Sequence, residues 1–270
     1  MAPLHSRSSV GARIPSWIKP ASGVMVLKQI LTRFAAAAGY EAFESWRLPS
    51  LQIARKVALL FDHFKITCVL DIGANRGQYR DFLRKEVDFS GPIYSFEPDP
   101  QLSEALIKRA VAEDRNWKIF PIALGRYSET RLLNKMVSTP FNSFLEPVSG
   151  LPPMVARDNT VADKCLVEIR RLDDFASELE DLRHTFVKID TQGFDLEVLA
   201  GGGQVIRKVP MLQTELSWRP IYRGMPSFGE AIEAFHAEGL AVSDLFLVFS
   251  DEHFRAYEFD CIMVRQDPRF

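Results

Sequence analysis

Apolar and polar positions along this chain follow two rhythms, short fully apolar runs and longer stretches with an apolar residue every third or fourth position. The runs Thr67 to Ile72, Ile93 to Phe96, Lys118 to Ala123, Phe186 to Asp190 and Met211 to Leu216 read as strands buried on both faces, the form that parallel strands take under covering helices. Between them the helical period appears over Gly77 to Val87, Pro100 to Val111, Phe194 to Ala200 and Phe228 to Ala237. Pro100 suits a first helical turn, and Gly201-Gly202-Gly203 stops the helix ending at Ala200. A further helix is predicted over Leu51 to Phe64. Arg131 to Met136 reads as a short extended run and Val167 to Arg170 as a strand. Leu172-Asp173-Asp174-Phe175 then opens a helix with acids in its first turn. Two final strands, Val242 to Phe249 and Phe259 to Val264, are joined by a polar turn at Asp251-Glu252. The predicted fold class is α/β, a Rossmann-like, mostly parallel, doubly wound sheet with a C-terminal antiparallel hairpin.

Two regions fall outside this pattern. Residues 1–50 form an N-terminal extension: Pro, Gly and Ser break up the first part, and Leu27, Ile30, Leu31 and Phe34 then mark an amphipathic helix over Val24 to Ala38. Its apolar stripe is expected to pack on the domain at 51–270 or on a second copy in a homo-oligomer, a lid or membrane-surface contact being the less favoured reading. The stretch from Val137 to Asn159 carries four prolines and no regular period, and so long a loop is usually functional or disordered.

Composition narrows the class. Of the 270 residues 47% are hydrophobic and 25% charged, as in ordinary globular proteins. A net charge of −2 argues against a binder that tracks nucleic-acid phosphates. Cys68, Cys165 and Cys261 are isolated, which suits buried thiols in a reducing compartment rather than a zinc site. No segment reaches the roughly 18 apolar residues of a membrane span, and no secretion signal is evident, so a cytoplasmic location is expected.

The candidate chemistry starts at Asp71-Ile72-Gly73-Ala74-Asn75-Arg76-Gly77, an acid and a glycine-rich turn between a strand and a helix. It does not fit the G-x-G-x-x-G of a nicotinamide dinucleotide site, which disfavours an oxidoreductase on the same sheet. It fits the looser D-x-G-x-G-x-G turn of S-adenosylmethionine enzymes, with Asn75, a residue tolerant of left-handed backbone, in the middle position. Backbone amides near Gly73 to Gly77 could take the carboxylate of that cofactor, and Asp71 or a neighbouring carbonyl its ammonium. Glu97, one β-α-β unit later, stands where a carboxylate accepts ribose hydroxyls.

Six ordered segments then match a known family: Asp71 to Gln78, Phe96-Glu97-Pro98, Ala123-Leu124-Gly125, Asn142-Ser143-Phe144-Leu145, Arg171-Leu172-Asp173-Asp174 and Lys188 to Leu199. Over about Thr67 to Val264 the chain resembles the FkbM-type S-adenosylmethionine-dependent methyltransferases. The resemblance implies a class I methyltransferase fold and O-methylation of hydroxyls on natural products or sugars. It further implies that Gly73, Ala74, Asn75 and Gly77 cradle the amino-acid end, Glu97 with Pro98 the ribose, and Ala123 the adenine edge. The family commonly has an acid where this chain has Gln192, which weakens any case for Gln192 as a base or metal ligand.

Methyl transfer to oxygen needs positioning and a proton acceptor. Asp190, at the end of the fourth strand, is the first candidate and Glu215 the second; Asp190 could instead cap the following helix. A divalent cation between Asp190 and Glu197 or Glu215 is the less favoured route. Asn142 and Ser143 are expected in a lid, and Trp218 and Tyr222 along an apolar pocket for a small-molecule or glycosidic acceptor. His184, His236 and His253 are not expected to act. Arg76, Arg80 and Arg84 share a helix face, expected to be solvated. A binding module of this fold without turnover is the remaining alternative.

Overall fold

The structure is a computed structural model and describes residues 48–179 and 181–267. The predicted helix over Val24 to Ala38 lies outside them. Helices α1 (Leu48–His63), α2 (Gln78–Lys85), α3 (Pro100–Glu113), α4 (Pro153–Asp158), α5 (Asp195–Gly201), α6 (Gly203–Ile206) and α7 (Phe228–Ala237) accompany ten strands. Seven of these build one sheet: β1 (Cys68–Ile72), β2 (Ile93–Phe96), β3 (Trp117–Phe120), β7 (Thr185–Ile189), β8 (Met211–Ser217), β9 (Leu240–Ser250) and β10 (Ala256–Arg265). Their order is β3-β2-β1-β7-β8-β10-β9; all pairs from β3 to β8 are parallel, and β10 runs antiparallel to both neighbours. This is the mostly parallel, doubly wound sheet with an antiparallel closing hairpin that the pattern predicts.

Alternation along each strand divides the core into two layers. Leu70, Ile72, Val187, Ile189 and Leu212 face Val198, Val205, Ile206 and Phe235 of α5, α6 and α7. Val69, Ile93, Phe186 and Met211 face Val57, Phe61, Leu83 and Leu106 of α1, α2 and α3. Each of these fully buried aliphatic or aromatic side chains contributes about 1.5–3 kcal/mol. The same alternation puts a polar row on the second face near the carboxyl edge: Ser95, Asp71, Lys188 and Gln213 stand side by side in register on β2, β1, β7 and β8.

Several sequence expectations are corrected here. The run from Lys118 to Ala123 is not one strand. It breaks at Pro121, which has no N–H to give a ladder, and Ala123–Leu124 becomes β4 of a second sheet, β4-β6-β5, with β5 at Glu129–Met136 and β6 at Val161–Arg170. The stretch 137–159 is accordingly not structureless; it holds a turn at Thr139–Phe141 and helix α4. Leu172–Phe175 is a single turn of 3-10 helix, shorter than the helix expected there, and Asp173 accepts from the N–H groups of Gln204 and Val205 in the first turn of α6. Arg80 and Arg84 are not solvated. Both hold Asp114, at 2.9 and 2.8 Å, and Arg80 lies over the Trp117 ring. Cys261 is buried, Cys68 and Cys165 are half-buried, and all three are free thiols.

Candidate active site

A cavity of about 380 Å³ opens at the carboxyl end of β1, β2, β7 and β8, a size in the range of small-molecule sites. Sheet order gives it two ends. Ile72 to Asn75, Phe96 to Pro98, Ala123, Leu124, Leu133, Phe144 and Phe194 line one; Ser50, Ile53, Tyr79, Phe82, Lys188, Asp190, Gln192, Gln213, Glu215 and Asp260 line the other.

The glycine turn is built by backbone conformation. Gly73, Asn75 and Gly77 have φ of +87°, +50° and +80°, the left-handed region that Gly and Asn reach at least cost. A Cβ on Gly73 would lie 1.9 Å from the Asp190 carbonyl oxygen, so this glycine lets β1 and β7 close on each other beside the cavity. The amides of the turn are spent within the protein. Gly73 and Ala74 donate to the Phe96 carbonyl, Asn75 to Glu97 Oε2 at 2.7 Å, Arg76 to Gln78 Oε1 and Gly77 to the Ala74 carbonyl. The turn therefore offers its shape and the Asn75 side chain, whose oxygen accepts from Thr139, rather than a row of amides for a carboxylate.

Glu97 is buried at the cavity edge, with Oε2 on the Asn75 amide and Oε1 on the Asp99 amide at 2.9 Å. Each oxygen keeps a second lone pair. Burial pushes its carboxyl up to about 7, against the two amide hydrogen bonds. Asp71, by contrast, lies behind the wall. It is fully buried, accepts from Ser95 Oγ at 3.0 Å and has the Lys188 ammonium 3.5 Å from its Oδ1; Ser95 in turn accepts from Trp117 Nε1. Gly77 is also outside the lining, packed on Trp117 and Leu106.

At the other end Lys188 reaches Asp190 Oδ2 at 3.1 Å and the Gly73 carbonyl at 3.3 Å. Burial acts against its charge, yet the facing Asp190 and Asp71 raise its pKa overall. Gln192 donates from Nε2 to Asp190 Oδ1 at 3.0 Å and to Glu215 Oε2 at 2.9 Å. Burial raises Glu215 well above the ordinary carboxyl range, and Asp190, Glu258, Asp260 and Asp195 add to it. Asp260 holds Gln213, which also accepts from Tyr79. Asp190 does not cap α5, whose N-cap Phe194 makes no side-chain bond; Asp195, in the first turn, accepts from the Thr191 amide and the Thr214 hydroxyl.

The expected acceptor residues divide. Asn142 and Ser143 line the cavity, but their polar groups are tied to Met136, Asp99 and the Gln192 carbonyl, so they form a fixed wall and not a free lid. Tyr222 is buried behind that wall, its hydroxyl between the Phe141 carbonyl and Gln192 Oε1. Trp218 does not approach the cavity. It has the parity of Leu216, on the face opposite Glu215, and packs on Phe228 of α7 while 60% exposed. Glu197 pairs with Arg126 rather than with Asp190, and among the described residues no group of three or more His, Cys, Asp or Glu side chains is arranged to hold a metal ion. Sequence reading missed Lys188, Gln213 and Asp260 because their signal is cross-strand register, invisible until β1, β7, β8 and β10 are paired.

Comparison with known proteins decides the family. The model of the methyltransferase FkbM domain matches residues 71–240, well over half of the chain. The chain belongs to the FkbM methyltransferase family. As an FkbM methyltransferase it takes its methyl group from S-adenosylmethionine. The chain is 27% identical over 190 residues to the 2-O-methyltransferase NoeI of Sinorhizobium fredii, covering 65% of this chain and 73% of that one. Among solved structures it is similar to a methyltransferase FkbM from Methylobacillus flagellatus (TM-score 0.48, 16% identity, 74% of this chain) and spans only 43% of that protein's length. It is also similar to the magnesium protoporphyrin IX methyltransferase of Synechocystis with bound cofactor (TM-score 0.45, 9% identity, 88% and 97% of the two chains). No helix among the described residues is long and apolar enough to cross a membrane.

Proposed function

We propose that this FkbM methyltransferase transfers the methyl group to a hydroxyl oxygen of a small-molecule or glycosidic acceptor. The observation that carries the reading is the pair of carboxyl groups, Asp190 and Glu215, on the cavity wall at the strand ends beside the glycine turn. The similarity to a 2-O-methyltransferase supports oxygen as the methylated atom. When bound, S-adenosylmethionine supplies a methyl group on a sulfonium; as the acceptor oxygen bonds to it, the S–CH3 bond breaks and its electron pair returns to sulfur.

The chain's own residues do the rest. Glu97 accepts hydroxyl hydrogen bonds from the ribose, with Pro98 beside it, while Ala123 and Leu124 bound the adenine edge. Gly73, Ala74 and Asn75 shape the amino-acid end. Asp71 and Gly77 act from behind, the first by fixing Lys188 and the second by seating α2 against Trp117. Asp190, held by Lys188, takes the hydroxyl proton as the C–O bond forms. Glu215, pushed toward its neutral form by burial, keeps a hydrogen-bonding position on the acceptor. Ile53, Tyr79 and Phe82 give the acceptor an apolar wall opposite these acids.

The test is incubation of the purified chain with 13C-methyl-labelled S-adenosylmethionine and a panel of methyl glycosides and simple alcohols. An oxygen-bound labelled methyl in the product is the expected result. Label on nitrogen or carbon only, or cofactor binding by calorimetry with no transfer to any hydroxyl, would refute the reading.

A further inference from the structure

Gln192 occupies a position that a mere loop residue would not. It sits at φ +51°, left-handed backbone that costs a side chain with a Cβ, and is followed by Gly193 at +88°. That strained turn after β7 aims its amide between the two acids. Because carboxylate oxygens accept, the amide nitrogen faces Asp190 (3.0 Å) and Glu215 (2.9 Å), which leaves Oε1 toward the Tyr222 hydroxyl at 3.0 Å. Tyr222 shares its single proton between that oxygen and the Phe141 carbonyl, and Ser143 donates to the Gln192 backbone carbonyl at 2.7 Å. The side chain is thus gripped at both ends and at its backbone.

We propose that Gln192 is a positioning residue whose amide, donating to both carboxyl groups, locks Asp190 and Glu215 as one pair with Asp190 oriented to take the acceptor proton. The inference rests on the hydroxyl-acceptor reading above. A carboxylate at this position could not donate to either acid, and would add a charge to a site that already holds several. Those facing the pair are Asp71 on β1, Lys188 on β7, Asp195 on α5, Glu258 and Asp260 on β10 and the Tyr222 hydroxyl. Only Lys188 among them is cationic. A neutral double donor is the side chain that binds both acids without raising their mutual repulsion.

The experiment is a 13C carboxyl titration of the full-length protein, with Asp190→Asn and Glu215→Gln assigning the signals, in wild type and in Gln192→Met, Gln192→Glu and Gln192→Asn. Donation to a carboxylate stabilises its charged form, so in Gln192→Met the lower apparent midpoint of the pair rises by about one pH unit, a tenfold change in proton affinity. In Gln192→Glu it rises further. Gln192→Asn suits the left-handed backbone and is one methylene too short to span both acids, so it gives the same shift should the Met variant fail to fold. S-adenosylmethionine affinity by calorimetry stays within about threefold of wild type, because the amide does not line the cofactor end. Unchanged midpoints in the folded variants would overturn the inference. The titration needs no acceptor: a shift seen in a protein that never methylates oxygen refutes the hydroxyl reading and still supports the locked pair.

Discussion

Replacing Lys188 with methionine removes the cation between two acids and keeps the length of the side chain. Asp71 is fully buried, and burial pushes its carboxyl up while the Lys188 ammonium at 3.5 Å and the Ser95 hydroxyl hold it down. Breaking a buried ion pair by deleting one partner costs about 3–5 kcal/mol at a pH where the survivor stays charged. For a domain of this size that lowers Tm by about 10 °C. The sign of the pH dependence follows from Asp71. Its folded pKa in the variant rises further above the unfolded value near 4, so the folded state binds a proton that the unfolded chain does not, and stability falls as pH rises through that window. Guanidinium unfolding at pH 8 and pH 5.5 measures it. The deficit of Lys188→Met against wild type shrinks at the lower pH by up to about 1.4 kcal/mol per pH unit, and Asp71→Asn in the Lys188→Met background recovers much of it at pH 8. An equal deficit at both pH values, with no recovery in the double variant, would refute the reasoning.

Gly73→Ala places a methyl group 1.9 Å from the Asp190 carbonyl at a φ of +87°; a loss of several kcal/mol in unfolding free energy and of S-adenosylmethionine binding by calorimetry is expected, and near-wild-type binding would contradict the site's geometry. Wild-type stability itself should increase from pH 8 to pH 5.5. Glu97 and Glu258 at about 7 and Asp195 at about 6 are raised above their unfolded values, so each destabilises the fold as pH climbs through its window; a flat Tm over that range would exclude this. Glu97→Ala is expected to weaken cofactor binding by about tenfold or more, from the loss of charged hydrogen bonds, with the Asn75 and Asp99 amides left without their carboxylate. Asp190→Asn should lower kcat on any hydroxyl acceptor by about a hundredfold while Trp218→Ala, exposed on the α7 face, leaves it within about twofold, and the reverse ranking would move the site.

The sheet, its closing hairpin and the glycine turn could be read from the chain because their signals are local. Val69, Leu70 and Ile72 carry a buried strand in their own composition, Asn75 and two glycines announce left-handed backbone, and the C-terminal strands flank a polar turn. The second sheet could not be read this way. Its β5 and β6 pair across residues 137–160, and β4 is two residues long, too short to carry a period. Trp218 and Tyr222 looked alike as pocket aromatics. One lies just past the end of β8 against Phe228, and a hydroxyl contact to Gln192 draws the other behind the wall.

By itself, the sequence determined the family, the methyl donor and the strand ends at which acids stand, since each depends on residues close together in the chain. The tertiary structure decided which of those acids share a site and which of them, Asp71 and Glu215, burial pushes toward the neutral form. Asp71, Lys188, Gln213, Glu215 and Asp260 come from four strands distant in sequence and meet only through register, and a carboxyl group's proton affinity is set by burial and neighbours that no local spacing records.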